Sequence, residues 1–214
     1  MTDMHRLLRR FALIAGTIGV LPGCGSGTPP QIYVLGNPVA ADPTVVSQMN
    51  APLVEVRPAR VPDFLDTTDI VTRGTGGLIV SSQSGRWGER FSIGLAREVS
   101  AVLTKRFPQL AVTTSARWGE PRWQVGIELE AFDVRTDGGS TLAATWSIVD
   151  VQRRRKLADE RVVLTDAGTF RTDAQVVAVT GRQVDELANR IAVSLAPIAG
   201  LPGGSRSTVV GNSR

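Results

Sequence analysis

A change of hydrophobic period in the middle of the chain constrains the fold more than any other feature. Trp123, Val125, Ile127, Leu129 and Ala131 alternate with Gln124, Gly126, Glu128 and Glu130, which predicts a strand with one buried face. Leu142, Ala144, Trp146 and Ile148 repeat the alternation after Asp137-Gly138-Gly139-Ser140, which supplies a turn. Val162-Val163-Leu164 gives a third strand beyond the basic run Arg153-Arg154-Arg155-Lys156. These three segments read as an antiparallel meander. On either side of them the period lengthens. Phe91, Leu95, Val99, Val102, Leu103 and Arg106 line one face of a helix that Pro108 ends. Val177, Val184, Leu187, Ala188, Ile191 and Leu195 share a face of a last helix, which Asp173 can cap. The helices stand before and after the strands instead of between them. This order predicts an α+β two-layer sandwich, a mainly antiparallel sheet with both helices packed on one face.

The N-terminal half carries shorter signals. Ile32 to Leu35 reads as a first strand, and Gly36 to Pro52, with Pro38, Pro43, Asn37 and Asn50, as a long loop. Leu53 to Val56 begins a second strand, and Pro58 and Pro62 after it suit an edge strand or a strand-to-loop passage. Ile70 to Arg73 and Leu78 to Val80 flank Gly74, Gly76 and Gly77, consistent with a hairpin. Leu110-Ala111-Val112 can form a short strand after the first helix. Trp87, Trp123 and Trp146 are expected to be at least partly buried, the last two on neighbouring strands.

The start of the chain is of another kind. Arg6, Arg9 and Arg10 precede the uncharged run Phe11 to Leu21, and Leu21-Pro22-Gly23-Cys24 closes it. A basic region, an apolar region and a small residue before a cut make a secretory signal. The run is too short for a transmembrane helix, which needs about 20 residues. The tetrapeptide resembles a bacterial lipobox, so residues 1–23 are read as a lipoprotein signal peptide and Cys24 as the acceptor of acyl (palmitate) chains. An ordinary signal peptide with a free cysteine nearby is the alternative. Residues 24–31 then form a tether, 32–197 the folded domain and 198–214 a disordered tail rich in Gly and Ser.

Cleavage before Cys24 removes His5, the only histidine, and acylation occupies the only thiol. Ser-His-Asp and Cys-His catalysis and the usual nitrogen and sulfur zinc sites are thereby excluded from the mature chain. No nucleotide-binding, calcium-loop or nucleophile-elbow motif is present, and no metal or cofactor is expected. Glu128 and Glu130 would stand about 7 Å apart on one strand face, a separation that glycoside hydrolysis permits. They lie on the polar side of an amphipathic strand, where solvated glutamates are the default. A non-enzyme is the favoured reading. Of 24 basic and 20 acidic residues, the signal takes Arg6, Arg9, Arg10 and Asp3, leaving 21 against 19. So small a surplus gives no case for nucleic acid. The run Arg153 to Lys156 reads first as a solvated hairpin turn, and second as a contact for phosphate headgroups or an acidic partner.

The pieces occur in a recognisable order. The lipobox is followed by Tyr33-Val34-Leu35, Val61-Pro62-Asp63-Phe64-Leu65-Asp66, Ile70-Val71-Thr72-Arg73 and Arg86-Trp87-Gly88-Glu89. In this the chain resembles the ABC-type transport auxiliary lipoprotein family, of the paraquat-inducible protein C type, from Ile32 to about Leu195. Family members commonly carry arginine after the Leu-Asp pair, where this chain has Thr67. The resemblance implies a non-catalytic lipoprotein held in the outer membrane and facing the periplasm. It also implies a transport system of an ABC ATPase, a permease and a mammalian-cell-entry-domain protein, carrying lipids between the two membranes. Pro62, Phe64, Leu65, Asp66, Arg73 and Trp87 become candidates for the surface that docks this partner, with turn geometry and core filling as the alternative role. Pro62 and its neighbours prevent regular pairing, so Phe64 and Leu65 are expected to be exposed. An outer-membrane assembly lipoprotein or an activator of a peptidoglycan synthase is the alternative function, and a homo-oligomer is left open.

The signal reading makes Cys24 the acylated first residue of the mature chain. Intact mass of the membrane-extracted protein should show acyl additions on a chain starting at Cys24, and an unmodified chain starting elsewhere would refute it.

Overall fold

The computed structural model describes residues 29–36, 51–115 and 119–202, so the signal, Cys24 and residues 203–214 lie outside the described residues. The strands are β1 Gln31–Tyr33, β2 Leu53–Val56, β3 Asp69–Arg73, β4 Ile79–Trp87, β5 Ala111–Thr113, β6 Trp123–Val134, β7 Ser140–Asp150 and β8 Arg155–Asp166. The helices are α1 Phe91–Arg106 and α2 Asp173–Ile198, and a 3-10 turn, Thr75–Gly77, joins β3 to β4. A five-stranded sheet has the order β5-β2-β6-β7-β8, and a three-stranded sheet the order β1-β4-β3. The two helices touch each other, α1 over β2 and β5 and α2 over β7 and β8. This is the predicted α+β class, with both helices on one face of the larger sheet.

The meander forms as its alternation requires. β6 and β7 pair antiparallel from Trp123 opposite Asp150 to Val134 opposite Ser140, and β7 and β8 pair likewise. Trp123, Val125, Ile127 and Leu129 of β6 and Leu142, Ala144, Trp146 and Ile148 of β7 are buried beneath the helices. One correction falls in β6. The register shifts between Leu129 and Ala131, so a bulge at Glu130 reverses the phase. Ala131 is exposed, and Phe132 and Val134 turn inward instead.

The helices also differ in detail from the sequence pattern. In α1, Phe91, Leu95, Val99 and Leu103 are buried and Val102 half-buried. Its last turn closes with the Phe107 N–H donating to Leu103 O at 2.8 Å, and Pro108 follows. The cap of α2 is Thr172, with Asp173 one residue inside. The Thr172 hydroxyl accepts from the Gln175 N–H at 3.3 Å, and Gln175 Oε1 accepts from the Thr172 N–H at 3.2 Å. That reciprocal pair is a capping box. Asp173 is thereby released to accept the Ser82 and Ser84 hydroxyls at 2.8 and 2.7 Å, which fastens β4 to the helix. Val176 and Val179 occupy the buried face, and Val177 is only partly buried. The helix continues through Pro197 and closes at Gly200, whose φ of 70° suits the left-handed turn there.

The short strands carry what the periodicity does not. β2 is interior and parallel to both β5 and β6. Pro58 and Pro62 fall in the passage after it, which follows β6 through the Arg57 and Arg60 N–H groups, donating to Val125 O at 3.0 Å and Ile127 O at 2.9 Å. Further along, Arg73 of β3 bridges Arg135 in parallel fashion. β4 runs antiparallel to β3, and β1 parallel to β4. β1 therefore enters from the end of the domain that holds the 135–139 turn. The opposite end holds the 151–154 turn between β7 and β8.

Trp123 and Trp146 lie on adjacent strands and are 8% and 3% exposed, and the Trp146 indole donates to the Ser194 hydroxyl at 3.3 Å. Each substitution by alanine should cost about 3–5 kcal/mol, read by urea unfolding. Unchanged stability in both would contradict this packing.

Candidate functional site

The segment 61–66 is a tight turn. Leu65 N–H donates to Pro62 O at 2.8 Å and Asp66 N–H to Asp63 O at 3.2 Å. This turn sends successive side chains in opposite directions. Phe64 is 42% exposed, whereas Leu65 is 3% exposed and belongs to the core. The exposure expected of Leu65 is thus not met: the turn, not the missing strand pairing, sets its direction. Pro62 is half-buried beside Phe64.

Asp66 faces the start of α1. Its Oδ1 accepts the Ser92 hydroxyl at 2.6 Å, and its Oδ2 lies 3.4 Å from the Arg90 guanidinium. Arg90 precedes the helix without a side-chain cap of its own, so a carboxylate here complements the exposed N–H groups and the helix dipole. The Thr67 hydroxyl accepts the Asp69 N–H at 3.0 Å. Trp87 is 6% exposed, 5.9 Å from the Phe91 ring, which stacks on Phe132 at 5.1 Å. Arg73 is 2.5 Å from Asp133 and also donates to Gly77 O at 3.4 Å. Of the six candidates, Pro62 and Phe64 reach the surface. Leu65 and Trp87 fill the core, and Asp66 and Arg73 hold neighbouring elements in place. The surface candidate is the Pro62–Phe64 turn with the Arg90 guanidinium, which is 63% exposed.

No geometry for catalysis gathers around the glutamate pair. Glu130 receives both Nε and Nη2 of Arg161 at 2.6–3.0 Å. Those bonds hold its carboxyl below the ordinary range, the wrong direction for a general acid. Glu128 is exposed on the same strand. Two crevices beside Trp87 and Phe91 have volumes of about 10 Å³ each, room for a single water. Among the described residues no group of three or more potential metal ligands occurs, and no helix is long and apolar enough to cross a membrane.

One unusual residue went unread in the sequence. Glu98 is 6% exposed, and its Oε2 has no hydrogen-bond partner. Gly36, at φ 67°, packs so closely that a Cβ there would lie 1.7 Å from this oxygen. Burial first, and then the neighbouring Asp185 carboxylate, push the Glu98 carboxyl above its ordinary value, with Arg97 opposing them. The signal was its spacing: Glu98 stands three residues after Leu95 and seven after Phe91, on the apolar stripe of α1.

The chain belongs to the family of ABC-type transport auxiliary lipoprotein components, whose model matches residues 33–192. No functionally curated protein matches its sequence. Among solved structures it is similar to an uncharacterised protein at TM-score 0.63 and 16% identity, over 78% of this chain and 99% of that one. It is also similar to a protein from Xanthomonas campestris at TM-score 0.59 and 16% identity, over 80% and 94%. At such identities these likenesses speak for the fold alone.

The Glu98 environment has a consequence for stability. The folded chain keeps a proton that the unfolded chain loses near pH 4.5, the ordinary value. The unionised carboxyl is therefore tolerated below that pH, and stability is lost as pH rises through the raised value. Glu98→Gln should leave stability near wild type at pH 4 and raise it at pH 7, measured by thermal melts. A difference independent of pH would show that the carboxyl is not strained.

Proposed function

We propose that this chain is a non-catalytic, acyl-anchored auxiliary component of an ABC transport system that moves lipids between the inner and outer membranes. The observation that carries the reading is the family match across the folded domain, from residue 33 to 192. Three features support it. The mature chain has neither histidine nor a free thiol once Cys24 is acylated. The crevices beside Trp87 have no room for a substrate. The short segment Gly25 to Pro30 between Cys24 and β1 suits a domain tethered close to a bilayer.

In this reading Cys24 carries the acyl chains that hold the domain on the periplasmic face of the outer membrane. One chain binds a bilayer only marginally and two or more hold firmly, so multiple acylation is required. Gly25 follows the cysteine, without the aspartate that marks retention in the inner membrane. Tethering then keeps the domain at high effective concentration where a conduit from the inner membrane ends. The partner is a mammalian-cell-entry-domain protein, and the Pro62–Phe64 turn with Arg90 is the docking contact we assign to it. Phe64 is the aromatic in this contact, of the type that dominates binding when it fills a partner's pocket.

Phe64→Asp should reduce capture of the mammalian-cell-entry protein at least tenfold while leaving the circular dichroism spectrum unchanged, because Phe64 is exposed. Undiminished capture would move the contact elsewhere. Hydrolysis of peptidoglycan fragments or lipid esters by the purified chain, lost on Glu128→Gln, would overturn the non-catalytic reading itself.

A further inference from the structure

Little holds β1 to the domain. Its three residues, Gln31, Ile32 and Tyr33, pair with Gly85, Arg86 and Trp87 of β4, and it is the end strand of its sheet. Ile32 and Val34 are 63% and 44% exposed. Only beyond the strand does this segment enter the core, where Leu35 is 3% exposed and lies against Gly94 of α1. Arg97 fastens that end, donating to Leu35 O at 2.8 Å while its Nε is 2.6 Å from Glu89 Oε1. Tyr33, Val34 and Leu35 form one wall of the crevice that Trp87, Phe91 and Gly94 complete.

The last residue of this segment, Gly36, rests on the buried Glu98 carboxyl. The contact leaves no room for a side chain, and Glu98 Oε2 has no hydrogen-bond partner. Across from it stands Asp185 of α2, which accepts a hydrogen bond from the Glu98 carboxyl. Two carboxyl groups can share such a bond only while one of them keeps its proton. The surrounding cations are already engaged. Arg97, the neighbour that favours ionisation of Glu98, is bonded to Glu89 and Leu35 O. Arg182 and Arg190 of α2 pair with Asp166 and Glu186, and Arg106, further along α1, donates to Asn189. On the sheet, Glu55 of β2 accepts from Gln124. Leu35 and Gly36 themselves bring no charge.

We infer that residues 31–36 are a pH-sensitive strap, seated while Glu98 holds its proton and lifted when that proton is lost. Ionisation leaves two carboxylates side by side, one of them buried with an unpartnered oxygen. That arrangement costs free energy until water reaches it, so an element packed on Glu98 must move. The helices α1 and α2 run over 16 and 26 residues and bury continuous apolar faces in the core. The strap has three paired residues at the end of a sheet, so it opens first. It is fully seated below the ordinary carboxyl range. It loosens as pH rises through the higher value that burial and Asp185 impose on Glu98. Opening frees the Gly85–Trp87 edge of β4 and widens the crevice beside Trp87 and Phe91. The surface that the domain offers to other molecules therefore changes with pH.

Hydrogen exchange of the full chain in detergent tests this, with protection corrected for the intrinsic effect of pH on exchange. Between pH 4 and pH 8 the amides of residues 31–36 should lose protection about tenfold, while those of α1 and α2 keep theirs. Glu98→Gln should hold 31–36 protected at both pH values, because an amide bonds Asp185 without a titrating proton. Asp185→Asn should move the wild-type transition to lower pH, and it keeps the test decisive if Glu98→Gln fails to fold. Gly36→Ala should strip protection from 31–36 at both pH values, because its Cβ cannot share the space of Glu98 Oε2. Wild-type protection of 31–36 that ignores pH overturns the inference. So does a loss that spreads equally through α1 and α2, a transition that survives Glu98→Gln unchanged, or protection that withstands Gly36→Ala. None of these results bears on the transport role, which capture by the partner tests separately.

Discussion

Along one edge of β6 run β2, the 57–60 passage and the end of β3, and along the other runs β7 over the full length of the strand. Backbone groups buried in a sheet must find partners, and β6 satisfies both edges with four different segments. The bulge at Glu130 lets one strand serve two layers. Before it, Trp123, Val125, Ile127 and Leu129 face the helices. After it, Phe132 turns inward to stack on Phe91, which in turn meets Trp87 of β4. The small sheet is thus joined to the large one through a chain of aromatic contacts, and both share one core.

The charged residues largely hold this framework together. Asp66 faces the start of α1, Asp173 ties two serines of β4 to α2, and Asp150 orders the β7–β8 turn. Arg97 spans Glu89 at 2.6 Å and Leu35 O at 2.8 Å, pinning the end of β1 to α1. For recognition, the contact proposed is the exposed Phe64 on its proline turn.

Long amphipathic segments were legible in the sequence, and short or irregular ones were not. The meander and both helices follow from period alone, since each buries one face over three or more turns or a full strand. Ala131 was misplaced because a bulge adds a residue without a compositional mark. The α2 cap was legible as Thr172-x-x-Gln175, but Asp173 beside it was the more familiar capping type. Four residues of β2 carry no information on direction, so its parallel pairing needed the fold. Within the candidate site, sequence order located Phe64 but could not separate it from Leu65, because the turn geometry alone decides which enters the core. Charge spacing located the Arg153 to Lys156 run, yet only the structure reveals the buried carboxylate beneath it.

The central claim is that the chain contributes binding and position to a transporter, and no chemistry of its own. Reconstituted transfer of labelled phospholipid between two membrane populations tests it most directly, with the ATPase, permease and mammalian-cell-entry protein present and the acylated chain added or withheld. The account predicts that transfer rises with the chain anchored in the second population and that the lipid emerges chemically unchanged. Transfer that is indifferent to the chain, or lipid returned hydrolysed in its presence, would contradict it.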